Sequence, residues 1–413
     1  MRTDHPLIKP ILGLLLGTGL SKGFQFVFIL LAARFLSLED FGIYSISLTL
    51  MIVLLSPLLV FGSDLLVTSY SANNDDRYYH QAMVWRLVVF PFAALVLIGL
   101  GRWIYGIDLI PLLLASALIL TRSVEQNVLS AIRGKGKNLQ ESFYLSASRA
   151  AMLAALIVSA VLAGENLQLG TVLIIQIAGT IGFLPFLTRR QVRLLPEKPD
   201  RLLLKKLLAE GFPLAISSLT WIIYFKVDVL MVGKLVGTAS AGLYEFAYKI
   251  LEAFFIFPSV IMIVFFRRLA ASQDLKTYRQ LFTGAALLLL GAGILFFAFS
   301  QWLVPPALHL FLRAEQIDSI DLLRVLSFAI PFVFLGYLST QVLVIQKQRK
   351  LYMAIMVSGA IFNVILNLIL IPKMGAGGAA LSTVISEALI LVLSAAGLFI
   401  KFGTPFVPHG NSE

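Results

Sequence analysis

Runs of twenty or more mostly apolar residues, separated by short polar segments, fill the chain from end to end. They fall near 11–33, 41–63, 82–101, 108–130, 142–163 and 168–188, and again near 211–236, 243–266, 280–304, 321–345, 351–372 and 376–400. Each is long enough to cross a bilayer as a helix, which takes about 20 residues. None shows the short alternating segments, about ten residues long, of a membrane β-barrel. The pattern predicts an all-α integral membrane protein with twelve transmembrane helices. The first run is too long for a signal peptide and further spans follow, so it is read as a signal-anchor helix that stays. The longest polar connection, 189–210, carries Pro196, Pro199 and a run of basic residues, and divides the spans six and six. The expected organisation is therefore an N-terminal six-helix lobe (1–188), a basic cytoplasmic linker (189–210) and a C-terminal six-helix lobe (211–413). An even number of spans per half makes any repeat parallel, with a pseudo-two-fold axis along the membrane normal.

Two sequence elements support a repeat. Arg34-Phe-Leu-Ser-Leu-Glu-Asp-Phe-Gly42-Ile-Tyr44 follows the first span, and Lys234-Leu-Val-Gly-Thr-Ala-Ser-Ala-Gly242-Leu-Tyr244 follows the seventh. In both, a basic residue is followed by glycine at +8 and tyrosine at +10. Ile132-Arg133-Gly-Lys135-Gly-Lys137 after the fourth span similarly matches Ile345-Gln-Lys347-Gln-Arg349-Lys350 after the tenth. The two tyrosines are expected in the interfacial aromatic belt.

Composition excludes a water-soluble enzyme. Apolar residues make up 59% and charged residues 13% of the chain, against about 45–50% and 25% in soluble domains. With the N-terminus placed inside, 22 of the 33 basic residues fall on cytoplasmic segments and 6 on the other side. That bias places both termini in the cytoplasm. It also accounts for most of the formal charge of +11, so no nucleic-acid partner is expected. The chain has no cysteine, which removes thiolate metal sites and cysteine nucleophiles.

Three stretches carry a resemblance. They are Arg34-Phe-Leu-x-x-x-x-Phe41-Gly42-x-Tyr44; Asp228-Val-Leu-Met-Val-Gly233-Lys-Leu with Gly242-Leu-Tyr244-x-x-Ala247-x-Lys249; and Asn363-Val-Ile-Leu-Asn367-Leu-Ile-Leu-Ile-Pro372-Lys-Met-Gly375-Ala-Gly377-Gly378-Ala379-Ala380-Leu-Ser-Thr383. Together, over about 8–400, the chain resembles the polysaccharide-export branch of the multidrug/oligosaccharidyl-lipid/polysaccharide flippase superfamily, which includes the O-antigen flippases. The resemblance implies two lobes opening alternately to each side of a bacterial cytoplasmic (inner) membrane. It implies a polyprenyl-(pyro)phosphate-linked oligosaccharide as substrate, membrane lipid as surroundings, and polysaccharide polymerase or assembly proteins as partners. One departure stands out: where many members carry an arginine shortly after the second span, this chain reads Gly62-Ser-Asp64, with no arginine until Arg77.

Charges inside the spans are the candidate chemistry, because each costs from about 2.5 to over 10 kcal/mol at mid-bilayer. The basic ones are Lys22, Arg122, Arg149, Lys226 and Lys249. Arg122 has Glu125 at i+3, and Lys249 has Glu245 at i−4 and Glu252 at i+3, spacings that allow local pairs. Lys22, Arg149 and Lys226 have no carboxylate so placed. The five are the candidate binding set for the substrate phosphate, for which arginine's planar fork is suited. The first half is cationic and the second acidic. Asp228 and Glu387 are candidates for ion coupling, to H+ or Na+, or for charge balance, with a Lys226–Glu387 bridge as the rival for Glu387. Asn363 and Asn367, at i and i+4, are candidate sugar contacts or interhelical hydrogen bonds. The Gly375–Ala380 run reads as close helix packing after a tight turn.

No cofactor or metal is expected. The four histidines, His5, His80, His309 and His409, have no ligand spacing, and no Gly-x-x-x-x-Gly-Lys-Ser/Thr loop occurs. The leading expectation is a flippase, not an enzyme. An ion-coupled multidrug antiporter of the same superfamily is the alternative; a cation cavity there would be acidic in both halves. A membrane glycosyltransferase, ligase or polymerase would need a larger extramembrane loop.

Overall fold

All twelve apolar runs lie in helix wherever the computed structural model describes them, and it describes residues 8–54, 63–73, 75–163, 167–188 and 198–403. The helices are α1 (Ile8–Phe35), α2 (Leu38–Leu54), α3 (Ser63–Ser71), α4 (Arg77–Tyr105), α5 (Leu109–Gly134), α6 (Asn138–Ala163), α7 (Leu169–Thr188) and α8 (Arg201–Leu235). Then follow α9 (Thr238–Phe254), α10 (Ile256–Ala271), α11 (Leu275–Ala298), α12 (Val304–Phe311), α13 (Asp318–Ser327), α14 (Ala329–Ile345), α15 (Arg349–Met374) and α16 (Ala376–Phe402). No described residue is in a β-strand. Helix is the expected solution in hydrocarbon, because it satisfies every backbone polar group within one segment. By length and composition, eight spans among the described residues can cross a bilayer, or nine when the bent pair 314–345 counts as one. Large apolar side chains point outward along them, Trp103 at 90% exposed and Ile400 at 83%, which suits lipid and not water.

Among the described residues three spans are broken, and proline explains each break. Pro258 has no N–H to offer the carbonyl of Phe254, where α9 gives way to α10. Pro331 does the same to Ser327, and α13 meets α14 at a bend of 40°. Pro305 and Pro306 follow a five-residue π turn, Phe299–Leu303, between α11 and α12.

The chain divides into two compact units, 1–223 and 224–413. Residues 201–210, read from sequence as part of a linker, form the first turns of α8, which runs through the divide. Residues 189–197 of that linker lie outside the described residues.

Small residues set the closest approaches within each unit. In the first, a Cβ on Gly17 of α1 would lie 2.5 Å from Ser142 Cβ of α6, and Ser146 donates to the Gly17 carbonyl at 2.8 Å. A Cβ on Gly134 would meet the Thr68 carbonyl at 2.4 Å, locking α3 to α5. In the second unit, Gly375 at φ 60°, ψ −141° turns the chain from α15 into α16, a conformation open essentially to glycine. The turns α5–α6 and α14–α15 share one geometry. Gly136 at φ 71° and Lys347 at φ 57° occupy the same left-handed position, each with the next residue's N–H bonded back to the helix, Lys137 to Ile132 and Gln348 to Leu343. This matches Ile132 with Leu343, two residues from the sequence-based pairing with Ile345.

Candidate functional site

The first unit builds its charged site on α5 and α6. Glu125 accepts from Arg122 Nη1 at 3.0 Å, one turn earlier on α5. It also accepts from Arg149 Nη2 of α6, at 3.1 and 3.3 Å, and from the Tyr144 hydroxyl at 3.1 Å. Glu125 and Arg149 are both buried. One carboxylate thus serves two guanidiniums, and one positive charge remains unmatched within the cluster. The i+3 partner of Arg122 is the one its spacing allows, and the cross-helix partner of Arg149 supplies what its own helix lacks. The structure brings Arg122 and Arg149 together and leaves Lys22 apart, exposed on α1.

A second cluster in this unit escaped the sequence reading. Arg86 is completely buried, donating Nη1 to Asn127 Oδ1 and Nη2 to Asp64 Oδ1, both at 2.7 Å. Asn127 in turn donates to the Tyr79 carbonyl at 3.1 Å. Arg86 is the tenth residue of α4, inside the apolar run 82–101. Its partner Asp64 stands in the segment where the resemblance leads one to look for an arginine. The available signal was that carboxylate, followed 22 positions later by an arginine already inside an apolar run.

In the second unit, Lys226 and Lys249 face the same two glutamates. Lys226 Nζ lies 3.5 Å from Glu245 and 3.4 Å from Glu252, and Lys249 Nζ 3.3 and 2.7 Å from them. Lys226 also stands over the Tyr248 ring at 5.3 Å. Two cations meet two carboxylates, so this pair carries no surplus for a substrate phosphate. The sequence set of five candidate phosphate-binding cations is here divided between two units, and among the described residues the α5–α6 arginines outnumber the carboxylate they share.

Asp228 of α8 forms a different constellation. Its Oδ1 accepts from Asn367 Nδ2 of α15 at 2.5 Å. Its Oδ2 accepts from the Tyr244 hydroxyl of α9 at 2.8 Å and from Thr383 of α16 at 3.0 Å. Asn367 Nδ2 also donates to Asn363 Oδ1 at 3.1 Å. Asp228, Asn363, Asn367, Tyr244 and Thr383 are all buried, and Asn367 Oδ1 has no hydrogen-bond partner. Asn363 and Asn367, candidate sugar contacts by sequence, are engaged with Asp228. Glu387 accepts from the Tyr224 hydroxyl at 2.6 Å; Lys226 pairs with Glu245 and Glu252 instead. Among the described residues, neither Asp228 nor Glu387 has a cationic partner within salt-bridge distance.

The tyrosines of the repeated element are inside, not at the interface. Tyr44 is 2% exposed and accepts from Gln176 Nε2 at 2.5 Å, and Tyr244 is 0% exposed on Asp228. The aromatic-belt expectation fails because each hydroxyl finds a buried polar partner, which lets the whole ring leave the water boundary.

A family model described as "Polysaccharide biosynthesis protein" matches residues 7–266, and a second, MatE, matches 213–369. An uncharacterized membrane protein of Methanocaldococcus jannaschii, MJ1375, is 24% identical over 197 residues, 45% of this chain and 44% of that protein. The chain thus matches less than half the length of that curated relative. Among solved structures, a multidrug resistance MATE family transporter of the MOP superfamily, inward-facing, superposes with a TM-score of 0.73 at 12% identity, over 93% of this chain and 94% of that one. The lipid II flippase MurJ, in an inward closed conformation, gives 0.71 at 12% identity, over 93% and 87%. A MOP superfamily transporter from Pyrococcus furiosus, described as having a binding pocket of reverse polarity, gives 0.62 at 13% identity over 95% of each. At these identities the likeness is one of fold.

Proposed function

The chain belongs to the polysaccharide biosynthesis protein family and has the fold of the MOP superfamily, and from that premise we propose that it flips a polyprenyl-(pyro)phosphate-linked oligosaccharide from the cytoplasmic to the outer leaflet by alternating access. The observation that carries this reading is the charge asymmetry. The first unit keeps two arginines on one carboxylate at Arg122, Arg149 and Glu125. The second keeps two carboxylates, Asp228 and Glu387, on neutral partners. The unmatched guanidinium charge is the seat for a phosphate headgroup, since arginine's fork suits phosphate oxygens. An intramembrane carboxylate without a cation is a functional site by default.

The residues around Asp228 fit a monovalent cation. Asp228, Asn363 and Thr383 supply hard oxygen donors, and Asn367 Oδ1 is a buried acceptor without a donor. Such oxygens suit Na+ or a proton, which would drive the cycle.

The test is flipping in proteoliposomes of a lipid-linked oligosaccharide, with leaflet position read by an impermeant sugar-modifying reagent. The triple variant Arg122→Gln, Glu125→Gln, Arg149→Gln keeps a hydrogen-bonded network without charge. We expect a folded, monodisperse protein that no longer flips. Flipping at the wild-type rate would sink the phosphate-site reading.

A second reading, an ion-coupled multidrug antiporter, is favoured by the MatE match over 213–369, the part that carries Asp228 and its partners Tyr244, Asn363 and Asn367. It predicts that expression lowers cellular accumulation of a fluorescent organic cation, and that Asp228→Asn abolishes the effect.

A further inference from the structure

At one end of the second unit, the α14–α15 turn and the last turns of α16 enclose a cleft of about 770 Å³. Four cations line it: Lys347, Arg349, Lys350 and Lys401. Its apolar wall is Leu351 and Ile400, the latter 83% exposed. We infer that this cleft binds the headgroup of an anionic membrane phospholipid, its phosphate among the four cations and its glycerol and acyl stems along Leu351 and Ile400.

Three observations carry the inference. The first is charge without compensation. There is no Asp or Glu from 322 to 386 or from 388 to 412. The single carboxylate of the three helices, Glu387, is engaged by Tyr224. No described carboxylate lines the cleft, so its four cations repel each other, and an external anion relieves that. The second is Lys347. It is the one described non-glycine residue with positive φ, at 57°. The matching turn of the first unit puts Gly136 there, at 71°. A lysine needed only for membrane topology would serve as well one position along, without the left-handed backbone. An unfavourable conformation retained at one place points to use of the side chain held there. The third is depth. Lys401 is exposed beside the outward-facing Ile400, and the turn lies on the face that the lysine and arginine bias assigns to the cytoplasm. The cleft therefore straddles the boundary where phosphates lie, the setting in which basic pockets between helices recruit anionic lipids. Lys401 is also hydrogen-bonded to Gln348, which ties the end of α16 to the turn and shapes the cleft before any lipid enters. The inference stands whether or not the flippase reading does.

The experiment is native mass spectrometry of the full chain from detergent carrying phosphatidylglycerol and phosphatidylcholine in equal amounts. We expect at least about tenfold preferential retention of phosphatidylglycerol, with each removed charge weakening it about fivefold. Lys347→Gly suits the turn, so it folds, and should lose about that factor. The quadruple variant Lys347→Gln, Arg349→Gln, Lys350→Gln, Lys401→Gln should show no preference. A control with as many cytoplasmic charges removed elsewhere, Arg267→Gln, Arg268→Gln, Lys276→Gln, Arg279→Gln, should keep it. Equal loss in the control overturns the site in favour of general surface attraction, and retention by the quadruple variant overturns it outright. Displacement by glycerol phosphate would mean a soluble anion site, and displacement by polyprenyl diphosphate a loading site for substrate; either result also overturns the proposal.

Discussion

Glu125 and Asp228 are both buried carboxylates, yet their neighbours differ in charge. Glu125 holds two guanidiniums and a tyrosine hydroxyl. Glu125→Gln would leave both arginines without a counter-charge, and breaking a buried ion pair from one side costs about 3–5 kcal/mol. Arg122→Gln leaves the Glu125–Arg149 pair intact and removes a partly exposed group, so about 1 kcal/mol is expected. Thermal unfolding in detergent should rank the two variants in that order; the reverse order would remove Glu125 from the centre of the cluster. Asp228 has donors around it but no cation. Asp228→Asn keeps an acceptor for Tyr244 and Thr383 and removes the cost of a buried charge. The melting temperature should hold or rise while the cation dependence of transport disappears, the usual opposition of stability and function at such a site. A loss of more than about 2 kcal/mol would instead mark the carboxylate as a structural anchor.

At the scale of elements, the α15–α16 turn gives a sharp contrast between adjacent glycines. A Cβ on Gly378 would lie 2.3 Å from the Leu370 carbonyl oxygen and 2.8 Å from the Ile371 nitrogen, while one on Gly377 meets nothing within 4 Å. Backbone atoms cannot swing aside, so Gly378→Ala should cost about 1–3 kcal/mol as overpacking, and Gly377→Ala should be near neutral. Equal melting temperatures would show that the two helices separate easily there. The Gly375–Ala380 run was legible as tight packing because small residues after a proline have few other uses. Span positions were legible for a similar reason: twenty apolar residues leave helix as the one economical choice. Local pairs such as Arg122–Glu125 and Lys249–Glu252 follow from helical spacing. Partners far apart in sequence do not: Arg149 meets Glu125 across 24 positions, and Asp228 meets Asn367 and Thr383 across 139 and 155. Which face of one helix meets which face of another is set by packing, and no single-chain periodicity encodes it. Arg86 could not be paired from sequence for the same cause, since its acceptors Asp64 and Asn127 lie 22 and 41 positions away.

For the whole molecule, direction is the property on which function turns. A flippase that loads in the cytoplasm must present its loading face there, and the lysine and arginine bias assigns that face before any substrate is considered. The assignment can be tested on one helix. α5 spans 26 residues, about 39 Å at helical rise, enough to cross the hydrocarbon core. Exposed residues flank it, Asp108 before its first residue and Lys137 just past its last. The chain has no cysteine, so a single introduced thiol is unambiguous. Asp108→Cys should react with a membrane-impermeant maleimide in right-side-out vesicles, and Lys137→Cys only in inside-out vesicles. The opposite pattern would turn the α14–α15 cleft to the outer leaflet and reverse the direction of transport proposed here. It would leave the family membership and both charged sites as they are, because those rest on packing within each unit and not on which side of the membrane it faces.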